Sequence, residues 1–343
     1  MAATRGDLTM DGKNSVRASF TRLALAAVML GAATCGGGGG RSVPFDDLAG
    51  EVLNADCDFL VACGSAPDRA TCLASIGFDS SQLATFKVDI AAGTVLYDGR
   101  AAGACIDALK SLASCKQTAI GDVGQRIDAT CGKVFTGLLP AGSVCFFSEE
   151  CANQGTCDAQ TCSSNGCCAG TCAARPTPIP LGGECSNPLP NQECIDGTLC
   201  TANAAGGGTC KAPLVAGARC GPYDRCVPPY QCGGVVDPVT NEGTCTAPPG
   251  HGQACDMSGN CDDARDVCDQ TTRLCTSRIA VGGACSTIDG CVAYATCDGT
   301  TCVAMPGPGA SCDSIAQDPC LLNLSCDTTT MHCSSPPPSA SCR

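Results

Sequence analysis

Tryptophan is absent from the 343 residues, aromatic side chains make up 3% of the chain, and the only histidines are His251 and His332. So little aromatic volume denies the chain a large apolar core and leaves other bonds to stabilise it. It also argues against a sugar-binding face built on aromatic platforms. Lys and Arg number 20 against 33 Asp and Glu, a net charge of −13, and they form no cluster. That argues against nucleic acid as a partner, because phosphate binding needs grouped cations. The acidic charge is thinly spread and reads as a solubility device.

Motifs that carry chemistry are missing as well. No C-x-x-C pair occurs, so the usual start of a cysteine zinc or iron–sulfur site is lacking. Neither a G-x-S-x-G elbow nor EF-hand spacing is present. Asp262, Asp263, Asp266 and Asp269 read as a solvated acidic loop rather than a calcium site. His251, in Pro-Pro-Gly-His-Gly, and His332 read as exposed loop residues rather than general bases. No catalytic residue, metal ligand or cofactor is assigned.

What the chain has in abundance is cysteine, 35 residues, and about one residue in ten is the level of a disulfide scaffold. Such usage implies an oxidising location. Residues 1–34 read as a signal peptide: the apolar run LALAAVMLGAA at 23–33 follows Lys13, Arg17 and Arg22. The run is too short to span a bilayer as a helix. Starting at Met10 instead of Met1 would give the leader a more ordinary length. Cys35 follows in Ala32-Ala33-Thr34-Cys35 and precedes five glycines. This resembles a bacterial lipobox, which implies that Cys35 is the lipidated first residue of the mature chain, with 35–43 as a flexible tether. The alternative is plain secretion with Cys35 removed. Excluding Cys35 leaves an even 34 cysteines.

Residues 44–138 carry six widely spaced cysteines, Cys57, Cys63, Cys72, Cys105, Cys115 and Cys131. Leu48, Val52, Ala55, Phe59 and Cys63 recur at helical steps, and Gly64 stops the run. Pro67 can open a second helix ending near Gly77, and Ser80 or Ser81 can cap a third before Gly93. Asp98 can cap the clearest one, with Ala101, Cys105, Ala108, Leu109 and Leu112 on one face. The expectation is a small all-α domain with three disulfides.

From 139 to 333 the chain reads as about six cysteine-rich repeats, starting near 142, 182, 217, 252, 282 and 309. Five are regular quartets: Cys185, Cys194, Cys200, Cys210; Cys220, Cys226, Cys232, Cys245; Cys255, Cys261, Cys268, Cys275; Cys285, Cys291, Cys297, Cys302; and Cys312, Cys320, Cys326, Cys333. Nine residues separate each quartet from the next, so the connectors belong to the fold. Gly182, Gly217, Gly252, Gly282 and Gly309 each stand three residues before a first cysteine, which marks a tight turn. The third-to-fourth segment varies from four to twelve residues and reads as a β-hairpin with a variable tip. The first repeat begins with Cys145, Cys151, Cys157 and Cys162 and then adds Cys167, Cys168 and Cys172. Pro176, Pro178 and Pro180 make a stiff spacer after it. Residues 334–343 form a Pro/Ser-rich tail.

A quartet can close in three ways. First-to-third with second-to-fourth is favoured, because a hairpin leaves its two cysteines free to clamp the preceding turns. Seven cysteines then remain in the first repeat, and Cys342 stands alone. A minor covalent dimer through Cys342, or through the odd one among Cys162, Cys167, Cys168 and Cys172, follows as an expectation.

The cysteine intervals and glycines of the array resemble the N-terminal cysteine-rich region of Dickkopf proteins. They resemble still more closely tandem arrays in bacterial surface lipoproteins. The resemblance implies an extracellular binding module with a protein ligand and carries over no site residue. The fold expected is an extended tandem array of small disulfide-rich repeats, preceded by the all-α domain. Three functional readings follow: a non-enzymatic surface protein that presents loops or spaces them from a lipid-anchored membrane attachment; a secreted inhibitor or toxin-like binder; and an enzyme seated in 44–138.

Overall fold

A computed structural model of the protein describes residues 41–76, 80–116, 130–158, 169–185, 194–195, 197–202, 207–221, 224–237, 242–255, 259–286, 290–312 and 320–335. The leader, Cys35, the glycine run, Cys162, Cys167, Cys168 and Cys342 lie outside these residues.

Helices occupy the N-terminal part. Helix α1 spans Phe45–Ala62, with Asp46 and Asp47 in its first turn, where negative charge suits the helix dipole. It ends at Cys63 and Gly64, whose φ of 69° is the left-handed conformation expected of a glycine stop. Helix α2 spans Arg69–Ser75 and is capped by Asp68, which accepts the Thr71 N–H at 2.8 Å; it therefore starts just after Pro67. Helix α3 spans Ser80–Ala92, and α4 spans Gly99–Lys110. The Asp98 carboxylate accepts the N–H groups of Arg100 and Ala101 at 2.8 and 3.1 Å, the cap expected from the sequence. Leu48, Ala55 and Phe59 of α1 pack against Ile106 and Leu109 of α4. Three disulfides tie these elements: Cys57–Cys72, Cys63–Cys115 and Cys105–Cys131.

The all-α expectation is corrected by a strand pair. Strand β1, Val95–Tyr97, runs antiparallel to β2, Phe135–Gly137. The pairing holds together an aromatic ladder that accounts for much of the scarce aromatic content. Phe45, Tyr97, Phe135, Phe86 and Phe147 follow one another with centroids 4.9–5.7 Å apart. Phe147 belongs to the first repeat, so the ladder is also the seam between helices and array.

The repeats share one frame. In all six, the first cysteine bonds the third and the second bonds the fourth: Cys145–Cys157 with Cys151–Cys172, then Cys185–Cys200 with Cys194–Cys210, Cys220–Cys232 with Cys226–Cys245, Cys255–Cys268 with Cys261–Cys275, Cys285–Cys297 with Cys291–Cys302, and Cys312–Cys326 with Cys320–Cys333. The third and fourth cysteines face each other across an antiparallel hairpin every time. Gly142, Gly182, Gly217, Gly252, Gly282 and Gly309 all have φ between 71° and 90°. Each donates its N–H to the carbonyl of its repeat's fourth cysteine at 2.7–2.8 Å. The connectors are built in as well: the carbonyls of Leu139, Ile179, Leu214, Pro249, Ile279 and Pro306 accept the N–H that follows each second cysteine.

Two expectations change here. The fourth cysteine of the first repeat is Cys172, not Cys162. The repeat therefore follows the common frame, and Cys162, Cys167 and Cys168 fall in the fourteen residues between its third and fourth cysteines.

The array also does not run out as an extended rod. The Ala264 N–H donates to the Cys115 carbonyl at 2.9 Å, and the Ala293 N–H donates to the Gly64 carbonyl at 3.2 Å. Leu322 packs on Ala66 and the Cys57–Cys72 bridge. The physical reason lies in the turns that leave the helices: the carbonyls of Gly64, just past α1, and of Cys115, beyond α4, face the fifth and fourth repeats and take their backbone N–H groups. Amide hydrogen exchange checks this return. Ala264 and Ala293 should exchange slowly in the oxidised protein, and Leu322→Ala should cost about 1–2 kcal/mol of stability. Exchange of both amides at open-loop rates would mean that the array swings free.

Candidate recognition surface

With the frame constant, difference collects at the hairpin tips. Between third and fourth cysteines the six repeats hold 14, 9, 12, 6, 4 and 6 residues. The longest paired strands belong to the third repeat, Gln231–Asp237 with Glu242–Thr246. An ion pair from Arg219 to Glu242 braces that hairpin from the first strand of the repeat.

The three short tips of the last repeats are built alike. An aspartate directly follows the third cysteine, and its carboxylate accepts two backbone N–H groups ahead of it. Asp269 takes those of Thr271 and Thr272, Asp298 those of Thr300 and Thr301, and Asp327 those of Thr329 and Thr330, at 2.8–3.3 Å. These hydrogen bonds hold all three carboxyls below the ordinary aspartate range. The threonines of the tips are largely exposed.

The residues weighed for chemistry are placed as follows. Asp263, Asp266 and Asp269 serve separate partners: Asp263 binds the Arg265 guanidinium at 2.6 and 2.9 Å, and Asp269 closes its tip. Asp266 is buried and lies 3.1–3.2 Å from Nδ1 of His251. Ser277 Oγ donates to the same carboxylate at 3.3 Å. The hydroxyl thus meets the acid and not the imidazole, so the three do not form a nucleophile–base–acid relay. His332 places its Nδ1 against the Thr330 carbonyl. Groups of three sulfurs, such as those of Cys145, Cys151 and Cys172, lie within 4.8 Å of one another. In each case the sulfurs belong to the crossed bridges.

Sequence reasoning missed two features. Glu150 is fully buried, with its carboxylate on the N–H groups of Phe146 and Phe147 at 2.6 and 3.1 Å, where it shapes the turn beside the aromatic seam. An open cleft of about 470 Å³ lies where α4 begins, lined by Leu96, Tyr97, Asp98, Arg100, Lys133 and Thr136 among others.

No family model, curated protein or solved structure matches the chain. Disulfide bonding on this scale points to an exported protein, and no described helix is long and apolar enough to cross a membrane.

Titration separates the tips from the helical region. The depressed carboxyls of Asp269, Asp298 and Asp327 stabilise the folded tips above the unfolded aspartate pKa of about 3.9. That contribution is lost as pH falls through their lower folded values. Burial acts the other way on Asp56, pushing it up to about 6. Its ionisation costs stability as pH rises from about 4 to 6, by up to about 3 kcal/mol. Thermal unfolding of Asp56→Asn should therefore show a raised midpoint at pH 7 and a flatter profile between pH 4 and 6. In Asp298→Ala, exchange at Thr300 and Thr301 should quicken at neutral pH.

Proposed function

We propose that this is a non-enzymatic protein of the extracellular or outer-surface space, anchored through a lipid on Cys35, whose repeats present hairpin tips to a protein partner. The observation that carries the reading is the contrast between six frames with the same crossed bridges and glycine turn and six third-to-fourth segments of 4 to 14 residues. A catalytic site needs one arrangement held still, whereas recognition uses varied loops on a fixed support. The Dickkopf-like spacing of the cysteines favours the same class. The lipobox-like Ala-Ala-Thr-Cys and the glycine run favour a tether, which keeps a binding array at its surface. A minor covalent dimer through Cys342, or through an odd cysteine among Cys162, Cys167 and Cys168, belongs to the same proposal; Cys172 drops out because it bonds Cys151.

The test is tip exchange in the exported, oxidised protein. Each long tip, of the first, second and third repeats, is replaced by the short Asp-Gly-Thr-Thr tip found at 298–301. Partners captured from the extracellular fraction should be lost with one or two specific exchanges while the disulfide pattern stays intact. Binding that survives every exchange would refute the reading. Intact mass of the membrane-extracted protein decides the anchor separately: residues 1–34 should be gone and acyl mass added at Cys35.

A further inference from the structure

We infer that the cleft at the start of α4 is a membrane-facing surface that rests on anionic lipid headgroups. The inference builds on the lipid anchor proposed above and adds which face of the folded protein meets the bilayer.

The exit point of the tether is fixed by close backbone contacts. The Val43 N–H donates to the Gly99 carbonyl at 2.9 Å, and the Tyr97 hydroxyl donates to the Val43 carbonyl at 2.8 Å. A Cβ on Gly103 would lie 1.9 Å from the Arg41 carbonyl oxygen, and one on Gly99 would lie 2.6 Å from that of Val43. Glycine at both positions lets the incoming chain lie directly on α4. Ser42 is itself part of the cleft wall. Six residues lie between Cys35 and Ser42, and the seven steps reach at most about 25 Å when fully extended. A lipid on Cys35 therefore holds this face within reach of the headgroups.

The chemistry of the face fits that neighbour. Arg100 and Lys133 are exposed, and their side chains enter no ion pair among the described residues. Nearby cations are by contrast matched: Arg41 and Lys110 with Glu51, and Lys87 with Asp46. Leu96 shares the cleft and is 55% exposed. Two free cations beside an exposed apolar side chain suit the boundary between headgroup and acyl chain. The helix end does not act as the anion site, because Asp98 already takes the N–H groups of Arg100 and Ala101. Burial, helped by the charges of Asp98 and Asp47, raises the Tyr97 phenol, and those two carboxylates temper the positive field. The contact is weak alone and is made effective by the high local concentration that a short tether imposes.

Co-sedimentation of the full, oxidised chain with vesicles tests this, using phosphatidylcholine with and without phosphatidylglycerol. All variants share the same exported, processed N-terminus, so its contribution cancels. Arg100→Glu/Lys133→Glu should reduce the preference for the anionic vesicles by about tenfold or more, since each cation near such a surface contributes on the order of 1 kcal/mol. High salt should do the same. The control Lys211→Glu/Arg225→Glu, an equal charge change on the second and third repeats, should leave the preference intact. Unchanged binding by the cleft variant, or an equal loss in the control, would overturn the inference. Loss of binding on adding inorganic phosphate at matched ionic strength would also overturn it, by revealing a site for soluble anions. The same comparison in a Cys35→Ser background reads the cleft without the acyl group, so a failed anchor and a failed cleft give different results.

Discussion

Everything in the repeats depends on one backbone contact. The N–H of a left-handed glycine donates to the carbonyl of the fourth cysteine, and two crossed disulfides lock that contact. The glycine turn brings the first cysteine beside the hairpin. The hairpin holds the third and fourth cysteines opposite each other, and each then reaches back to a different preceding turn. Little else supports a repeat of about 30 residues, which is too small for a core of its own. The small buried clusters of the repeats consist largely of the cysteines themselves. Bridges closing loops of 11 to 21 residues contribute about 3 kcal/mol each in the chain-entropy description. A unit stabilised in this way can lengthen or shorten its tip without disturbing its frame.

The helical region joins these units into one body. It meets the first repeat through the aromatic ladder, and it receives the fourth, fifth and sixth through the carbonyls of Cys115 and Gly64 and the apolar cover of Leu322. The scarcity of aromatic residues becomes intelligible here, because five of them are concentrated at the seam.

Local features were legible in the sequence because local chemistry dictates them. The Gly64 stop, the Asp98 cap, the pre-cysteine glycine turns and the crossed pairing each follow from a few neighbouring residues. Features that join distant segments were not. Val95-Leu96-Tyr97 is too short to announce a strand, and its partner begins at Phe135. Nor does any pattern announce the return of the array, which rests on single residues such as Ala264, Ala293 and Leu322. The first repeat did carry an overlooked signal. Gly170, Gly208 and Gly243 each stand two residues before a fourth cysteine. A Cβ at Gly170 or Gly208 would come within 2.6–2.7 Å of the third cysteine's Sγ. Gly-x-Cys at 170–172 therefore fits Cys172 as the fourth cysteine, although Gly166-Cys167-Cys168 has the same form, whereas counting from the nearest cysteine selected Cys162. The His251–Asp266 pair was hidden for a similar reason, since it spans fifteen residues of sequence across the Gly252 turn.

The central claim is that six crossed pairs build the array, and peptide mapping of the unreduced protein tests it most directly. Digestion should release Cys151 linked to Cys172, Cys145 linked to Cys157, and first-to-third and second-to-fourth links in each later quartet. Nested links, first to fourth and second to third, or links between neighbouring repeats, would contradict the account.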